Sequence, residues 1–298
     1  MMGQTQTMDM EKKQFDGIVY MPCNAENDFF PDLATLPRAD VMYFCSPNNP
    51  TGAVASRAQL EALVAYAREQ GTILVFDAAY APFIRTPGVP KSIYEIEGAE
   101  TCAIECNSFS KCAGFARARV GAVGDDTLSP PLSLALFRYA GFTGVRLGWT
   151  VVPKGLKFAD GSSVRDDFNR VMCTAFNGAS NVVQPGGLAC LDDAGLAEIE
   201  SLIEYYLGNA AILRSAAEEM GVPHYGGVDS PYVYLDLGGK SSWDTFSDIL
   251  EKCQIVTIPG AGFGPGGEGF LRLSAFAPRA SCEEAKKRLI DAYGTSGF

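Results

Sequence analysis

The chain is poor in histidine and in clustered positive charge, and it has no apolar run long enough to cross a bilayer. Its only histidine, His224, has no cysteine or carboxylate at metal-ligand spacing, so a surface position is expected rather than a metal site. Lys and Arg number 24 against 35 Asp and Glu, a net charge of −11. No basic run exceeds Lys286-Lys287-Arg288, and a nucleic-acid groove needs a basic face, which argues against that class of partner. The lack of an apolar stretch of bilayer length argues against a membrane span. Met1 to Gln14 is polar and methionine-rich, with neither an apolar signal core nor an Arg-rich transit pattern. There is no Cys-x-x-Cys among the nine cysteines. Their odd number and their place inside apolar patterns point to reduced, buried thiols in a reducing compartment.

What is present is an ordinary globular composition, 298 residues with 47% hydrophobic and 20% charged. Buried strands are expected at Val41–Cys45, Thr72–Phe76, Thr101–Cys106 and Val145–Val152. Between the first two, Leu60, Leu63, Val64 and Ala67 fall on one face of a helix over 57–70, with Ser56 as N-cap and Gly71 as stop. Strand, helix, strand at this spacing is a βαβ unit, so the architecture is expected to be α/β with a mostly parallel sheet. A long helical pattern follows from Pro185 to Glu219. Two further strands (232–235 and 270–273) and two helices (243–253 and 282–293) then read as a small α+β domain. The expected division is a large domain over 1–205 and a small one over 206–298.

In a parallel sheet, functional residues belong at the carboxyl ends of the strands. Asn49-Pro50-Thr51-Gly52 is a rigid turn whose Asn amide can donate to a phenolate oxygen. Asp77 can keep a pyridine nitrogen protonated, making the ring an electron sink, and Tyr80 can donate to the same ring oxygen. Lys111 can form an imine, while Ser108, Ser110 and Arg146 can hold a phosphate. Singly, these features are commonplace: turns, helix caps and solvated lysines. Their joint order and spacing are not. Gly262 to Gly267 matches G-x-G-x-x-G, but a strand pattern follows and no acidic ribose partner is placed, so a dinucleotide site is rejected.

As a set, Tyr43 to Gly52, Phe76-Asp77-Ala78-Ala79-Tyr80, Ser108-Phe109-Ser110-Lys111 and Gly144 to Trp149 resemble the class I/II aminotransferases of PLP fold type I. Phe176 to Asn181 and Gly264 to Phe270 look like the LL-diaminopimelate aminotransferase branch of that family. The resemblance implies pyridoxal 5'-phosphate as cofactor, with amino and 2-oxo acids as substrates. The implied reaction converts tetrahydrodipicolinate and glutamate to LL-diaminopimelate and 2-oxoglutarate, a step of lysine synthesis. Lys111 would carry the cofactor and shuttle the substrate's proton. Asp77 would hold the pyridine nitrogen, Asn49 and Tyr80 the ring oxygen, and Ser108, Ser110 and Arg146 the phosphate. Asn181 and Arg272 would fix the substrate α-carboxylate, a task suited to a planar guanidinium. The alternatives are another amino-acid specificity within the family, or a non-catalytic partner subunit. The resemblance also implies a homodimer, or a mixed dimer with a longer homologue. The compartment would be the plastid in a plant or alga and the cytoplasm otherwise.

Two departures accompany it. The family's chain starts well before this one, so only four of its seven large-domain strands are expected. A sheet that short would expose an apolar edge and a bare face. Second, Arg146 stands 35 positions after Lys111, where the family pattern has eight, leaving 27 extra residues. The echoed Ala113-Gly114-Phe115 and Ala140-Gly141-Phe142 place them at 112–138 or 116–142. Both ends of the stretch would lie against the cofactor phosphate, so little turnover is expected. The stretch reads as a retained intron or a mis-joined gene model. Sequencing of the transcript is expected to show a dominant message lacking it. An abundant uninterrupted message that keeps it would refute this.

Overall fold

The computed structural model describes residues 7–10, 14–113, 147–176, 178–295 and 297–298. Beyond Ala113 the extra stretch lies outside the described residues, as does Arg146. After a small hairpin of β1 (Met8–Asp9) and β2 (Gln14–Phe15), a four-stranded sheet forms. Its order is β3 (Val41–Cys45), β4 (Ile73–Asp77), β5 (Ala103–Ser108) and β6 (Gly148–Val151). The first three strands are parallel, and β6 is antiparallel to β5. The expected α/β architecture and all four strands are present, with β4 and β5 displaced slightly toward the C-terminus. Their register sets Cys45 opposite Asp77 and Asp77 opposite Cys106, so β3 and β4 end level and β5 runs on two residues further, to Ser108.

The βαβ crossover is α1 (Arg57–Gln70), bounded as its sequence dictates. The Ser56 hydroxyl accepts from the Gln59 N–H, Gln59 returns a bond to the Ser56 N–H, and Gly71 ends the helix at φ +65°. Leu60, Leu63, Val64 and Ala67 pack on Met42, Leu74, Phe76 and Ala103. Glu105 lies on this covered face. It is satisfied by the Ser92 hydroxyl at 2.7 Å, the Ile93 N–H at 2.8 Å and the Asn107 amide at 2.9 Å.

The opposite face is the bare one that four strands imply. Tyr43 is 53% exposed and Val41 45%, and the register sets half-buried Ile73, Val75 and Ile104 beside them on this face. Apolar surface this contiguous marks a face built to be covered.

Past the helical turn α2 (Phe109–Cys112) and α3 (Val164–Val171), the expected single long helix is two. It breaks between α4 (Val183–Ala189) and α5 (Asp193–Glu219) because Asp192 caps the second, accepting from the Gly195 N–H at 2.7 Å. Ile203 and Tyr206 of α5 join Tyr80, Phe83, Phe109 and Tyr232 in one core. Leu213 and Ala217 of the same helix join the next. There, β7 (His224–Gly226), β8 (Tyr232–Asp236), β10 (Phe270–Ser274) and β9 (Ile258–Pro259) form an antiparallel sheet in that order. α6 (Ser242–Cys253) and α7 (Arg279–Tyr293) supply Ile249 and Leu289 to its core. His224 departs from its expected surface position. Its side chain is only 17% exposed, with Nε2 3.8 Å from Glu218.

The two sheets meet backbone to backbone. A Cβ on Gly52, whose φ is +70°, would lie 2.6 Å from Gly226 Cα and 3.0 Å from the Tyr232 carbonyl oxygen. Nearby, buried Asp229 accepts from the N–H groups of Arg85 at 2.6 Å and Thr86 at 2.8 Å, and from the Thr86 hydroxyl at 2.6 Å. Gly52→Ala combines a left-handed backbone with an overpacked contact and is expected to cost about 3 kcal/mol. Gly262→Ala, with open space around it, is expected to be near neutral. Urea denaturation of both variants checks this.

Candidate active site

The carboxyl ends of three parallel strands and one strand of the second sheet converge here. Asp77 is the last residue of β4; its Oδ1 accepts from the Ala79 N–H at 3.0 Å, turning the chain toward Tyr80. The strand β5 ends at Ser108, earlier than a strand carrying the whole Ser-x-Ser-Lys would. Phe109 to Cys112 instead forms the helical turn α2, with the Ser108 hydroxyl accepting from the Ser110 N–H at 3.2 Å. Lys111 therefore leaves a helix rather than a strand. Its Nζ lies 5.4 Å from the centre of the Tyr80 ring. Phe109 is braced by Trp149 across β6, ring centres 4.8 Å apart.

Arg272 enters from β10. Its Nη1 donates to Asn49 Oδ1 at 2.6 Å, across 223 residues of chain. The guanidinium lies 4.4 Å over the Tyr232 ring and 5.0 Å from that of Phe263. Its Nε is buried with no hydrogen-bond partner among the described residues. Burial lowers the Arg272 pKa from its ordinary value, opposed by the neighbouring phenols. A desolvated guanidinium with a spare donor is a ready receptor for a carboxylate.

The Tyr80 and Tyr232 hydroxyls are 2.7 Å apart, and either can be the donor. Burial raises both phenols, and for Tyr80 the Tyr232 partner adds to the rise, so the pair stays neutral. Beside Asp77, burial pushes the Cys45 thiol up to about 12, reinforced by the Asp77 charge.

The structure thus gathers Asn49, Tyr80, Lys111 and Arg272, with Asp77 on the adjoining strand end. Ser110 is buried, and the Ser108 hydroxyl caps the helical turn that carries Lys111. Asn181 does not join them. It is exposed in the turn before α4, and among the described residues no hydrogen bond links it to Arg272 or Asn49. Sequence reasoning missed Tyr232, Phe263 and Cys45. For Tyr232 the only local signal is a buried alternation shared with Tyr234; its role depends on the domain contact.

The family model described as "Aminotransferase class I and II" matches residues 7–127 and 138–289. A rice protein named "Probable LL-diaminopimelate aminotransferase, chloroplastic" is 48% identical over 98% of this chain and 57% of its own length. The LL-diaminopimelate aminotransferase of Protochlamydia amoebophila is 47% identical, over 96% of this chain and 63% of its own. The solved L,L-diaminopimelate aminotransferase of Chlamydomonas reinhardtii superposes with a TM-score of 0.82 at 54% identity, covering 94% of this chain and 62% of that one. The chain spans about three-fifths of the length of these relatives.

With its thiol near 12, Cys45 holds on the order of one thiolate in ten thousand at pH 8. Iodoacetamide at that pH is expected to label exposed Cys173 and leave Cys45 and buried Cys112 unmodified. Peptide mass mapping of the native protein reads the result.

Proposed function

The chain belongs to the class I and II aminotransferase family, with that family's fold-type-I α/β architecture, and from this premise we propose that it uses pyridoxal 5'-phosphate as an LL-diaminopimelate aminotransferase. The reaction would convert tetrahydrodipicolinate, glutamate and water to LL-diaminopimelate and 2-oxoglutarate. The observation that carries the reading is Arg272, a buried guanidinium with a spare Nε, fastened to Asn49 beside Tyr80 and Lys111. The names and the 47–54% identities of the relatives support the choice of substrate.

The residues fit the cofactor's ring end. Because Asn49 Oδ1 is taken by Arg272, its Nδ2 is left to donate toward a ring oxygen, alongside the Tyr80 hydroxyl. The Asp77 carboxylate would pair with the pyridine nitrogen. Ser108, Ser110 and Arg146 would hold the phosphate. When bound, the cofactor supplies a carbonyl that exchanges the amino group and a ring that accepts the electrons of the substrate's Cα–H bond. Lys111 Nζ would take the proton from that carbon and return it at the far carbon of the exchange. Arg272 would grip the α-carboxylate through Nη2 and Nε, with Asn181 drawn in beside it. The rings of Tyr232 and Phe263 exclude water from the guanidinium, which strengthens its hold.

A second reading, a subunit paired with a longer homologous chain, is favoured by the uncovered sheet face around Tyr43 and Val41. A site resting on so open a layer would turn over slowly alone. Aminotransferases of this family commonly act as dimers, and the chain would self-associate or pair through this face. The compartment would be the plastid stroma in a plant or alga and the cytoplasm otherwise.

Incubation with pyridoxal phosphate followed by borohydride is expected to fix the cofactor to the peptide holding Lys111, and to fail in Lys111→Ala. Glutamate-dependent 2-oxoglutarate release with tetrahydrodipicolinate should be slow, and should rise on mixing with a full-length relative. A wild-type chain that gives no labelled Lys111 peptide would overturn the reading.

A further inference from the structure

Among the described residues no hydrogen bond joins Arg272 to Tyr80, although the guanidinium acts on the phenol through its charge, whereas Tyr232 touches both. Its ring lies under the guanidinium at 4.4 Å, and its hydroxyl is 2.7 Å from that of Tyr80. Tyr232 is 3% exposed and packs edge-on against Tyr80 with ring centres 5.2 Å apart, so neither contact can relax into solvent. With the bond from Arg272 to Asn49, four side chains make a connected chain, Asn49–Arg272–Tyr232–Tyr80, whose two ends are the groups assigned above to the cofactor's ring oxygen.

We propose that Tyr232 is a positioning residue that couples carboxylate occupancy at Arg272 to the hydrogen-bonding strength of the Tyr80 hydroxyl. The inference rests on the reading of Arg272 as the carboxylate receptor and Tyr80 as a cofactor contact. The physical route is electrostatic. The titratable groups around Tyr232 are Tyr80, Arg272 and Cys45; the hydrogen bond with Tyr80 and the Arg272 charge both ease ionisation of the phenol, and Cys45 opposes it. Where Tyr80 gives its proton to the ring oxygen, Tyr232 is the donor of the bond between the two hydroxyls, and a positive charge over its ring strengthens that donation. Tyr80, so polarised, is in turn the stronger donor to its own acceptor. A carboxylate pairing with Arg272 neutralises that charge and weakens both bonds together. Binding of the substrate's carboxylate would thereby loosen the hold on the ring oxygen at one end of the chain. Tyr232 would act this way without touching the reacting atoms.

The test uses glutarate, a dicarboxylate with no amino group to exchange, on the full chain. In the cofactor-free protein, glutarate is expected to give an ultraviolet tyrosine difference band, with binding measured separately by calorimetry. Tyr232→Phe keeps a ring under Arg272, so the glutarate Kd should change by less than about threefold. The difference band should fall to about a quarter or less, because Tyr80 loses the hydroxyl route and keeps only the direct field of the guanidinium. Tyr80→Phe should keep about half of the band, since Tyr232 still senses Arg272. In the cofactor-loaded protein, glutarate should shift the pH midpoint of the cofactor absorbance, and Tyr232→Phe should shrink that shift by about half.

A Tyr232→Phe protein that binds glutarate and still gives half of the band, or that keeps the full midpoint shift, overturns the proposal. Should Tyr232→Phe not fold, Tyr80→Phe decides. A full wild-type band there excludes signalling into Tyr80, whereas a halved band with the midpoint shift also cut by about half supports it. Glutarate binding that is absent, or unchanged in Arg272→Gln, removes the input and overturns the coupling. The Lys111 labelling experiment stands apart from these outcomes and reports on cofactor chemistry alone.

Discussion

Everything at this site depends on keeping one guanidinium out of water without neutralising it. Arg272 loses hydration on entering the junction between the two sheets, and a buried charge is tolerated only where oriented groups replace the solvent. Three do so here. Asn49 accepts one N–H at 2.6 Å, and the faces of Tyr232 and Phe263 supply quadrupoles at 4.4 and 5.0 Å. None of them carries a negative charge. Among the described residues no carboxylate pairs with the cation, which leaves its charge for an incoming one.

That arrangement requires the two sheets to approach closely and always in the same way. The Gly52–Gly226 contact lets the Asn49 turn reach β10, and Asp229 locks the loop at Arg85 and Thr86 to the second sheet. The long helix α5 reinforces this by contributing to both cores, and Arg85 ties back to it through Glu200 and Glu204 at 2.8 and 2.7 Å. Buried Asn209, midway along α5, donates to the carbonyls of Ala275 and Ala277, just past β10. The site is therefore braced from the small-domain side. From the other side the sheet presents uncovered Tyr43 and Val41. Rigidity is uneven, and the less supported half is the one carrying Asp77 and Lys111.

Much of this was legible in the chain itself. The period of α1, its Ser56 cap and its Gly71 stop are local properties, and the helix formed at the expected residues. Apolar runs ending in Asn49, Asp77 and Lys111 announced a parallel sheet with chemistry at its carboxyl edge. The errors were also local in origin. Asp192 competed successfully for the start of α5 and split an apparently continuous helix. Ser108 became a cap, which moved Lys111 from strand to helical turn. His224, lone and polar, was drawn half inside by β7 pairing and the nearby Glu218.

By itself the sequence determined which residues could carry the chemistry and on which elements they would sit. Helix and strand periodicity and turn chemistry act over a few residues and are written there. Only the tertiary structure decided which of those groups would meet. Tyr80 and Tyr232 are 152 residues apart and Asn49 and Arg272 are 223 apart, distances over which no local pattern constrains an approach. The packing of one glycine backbone on another brought them together, and burial then gave the guanidinium and the phenols properties that neither has in water.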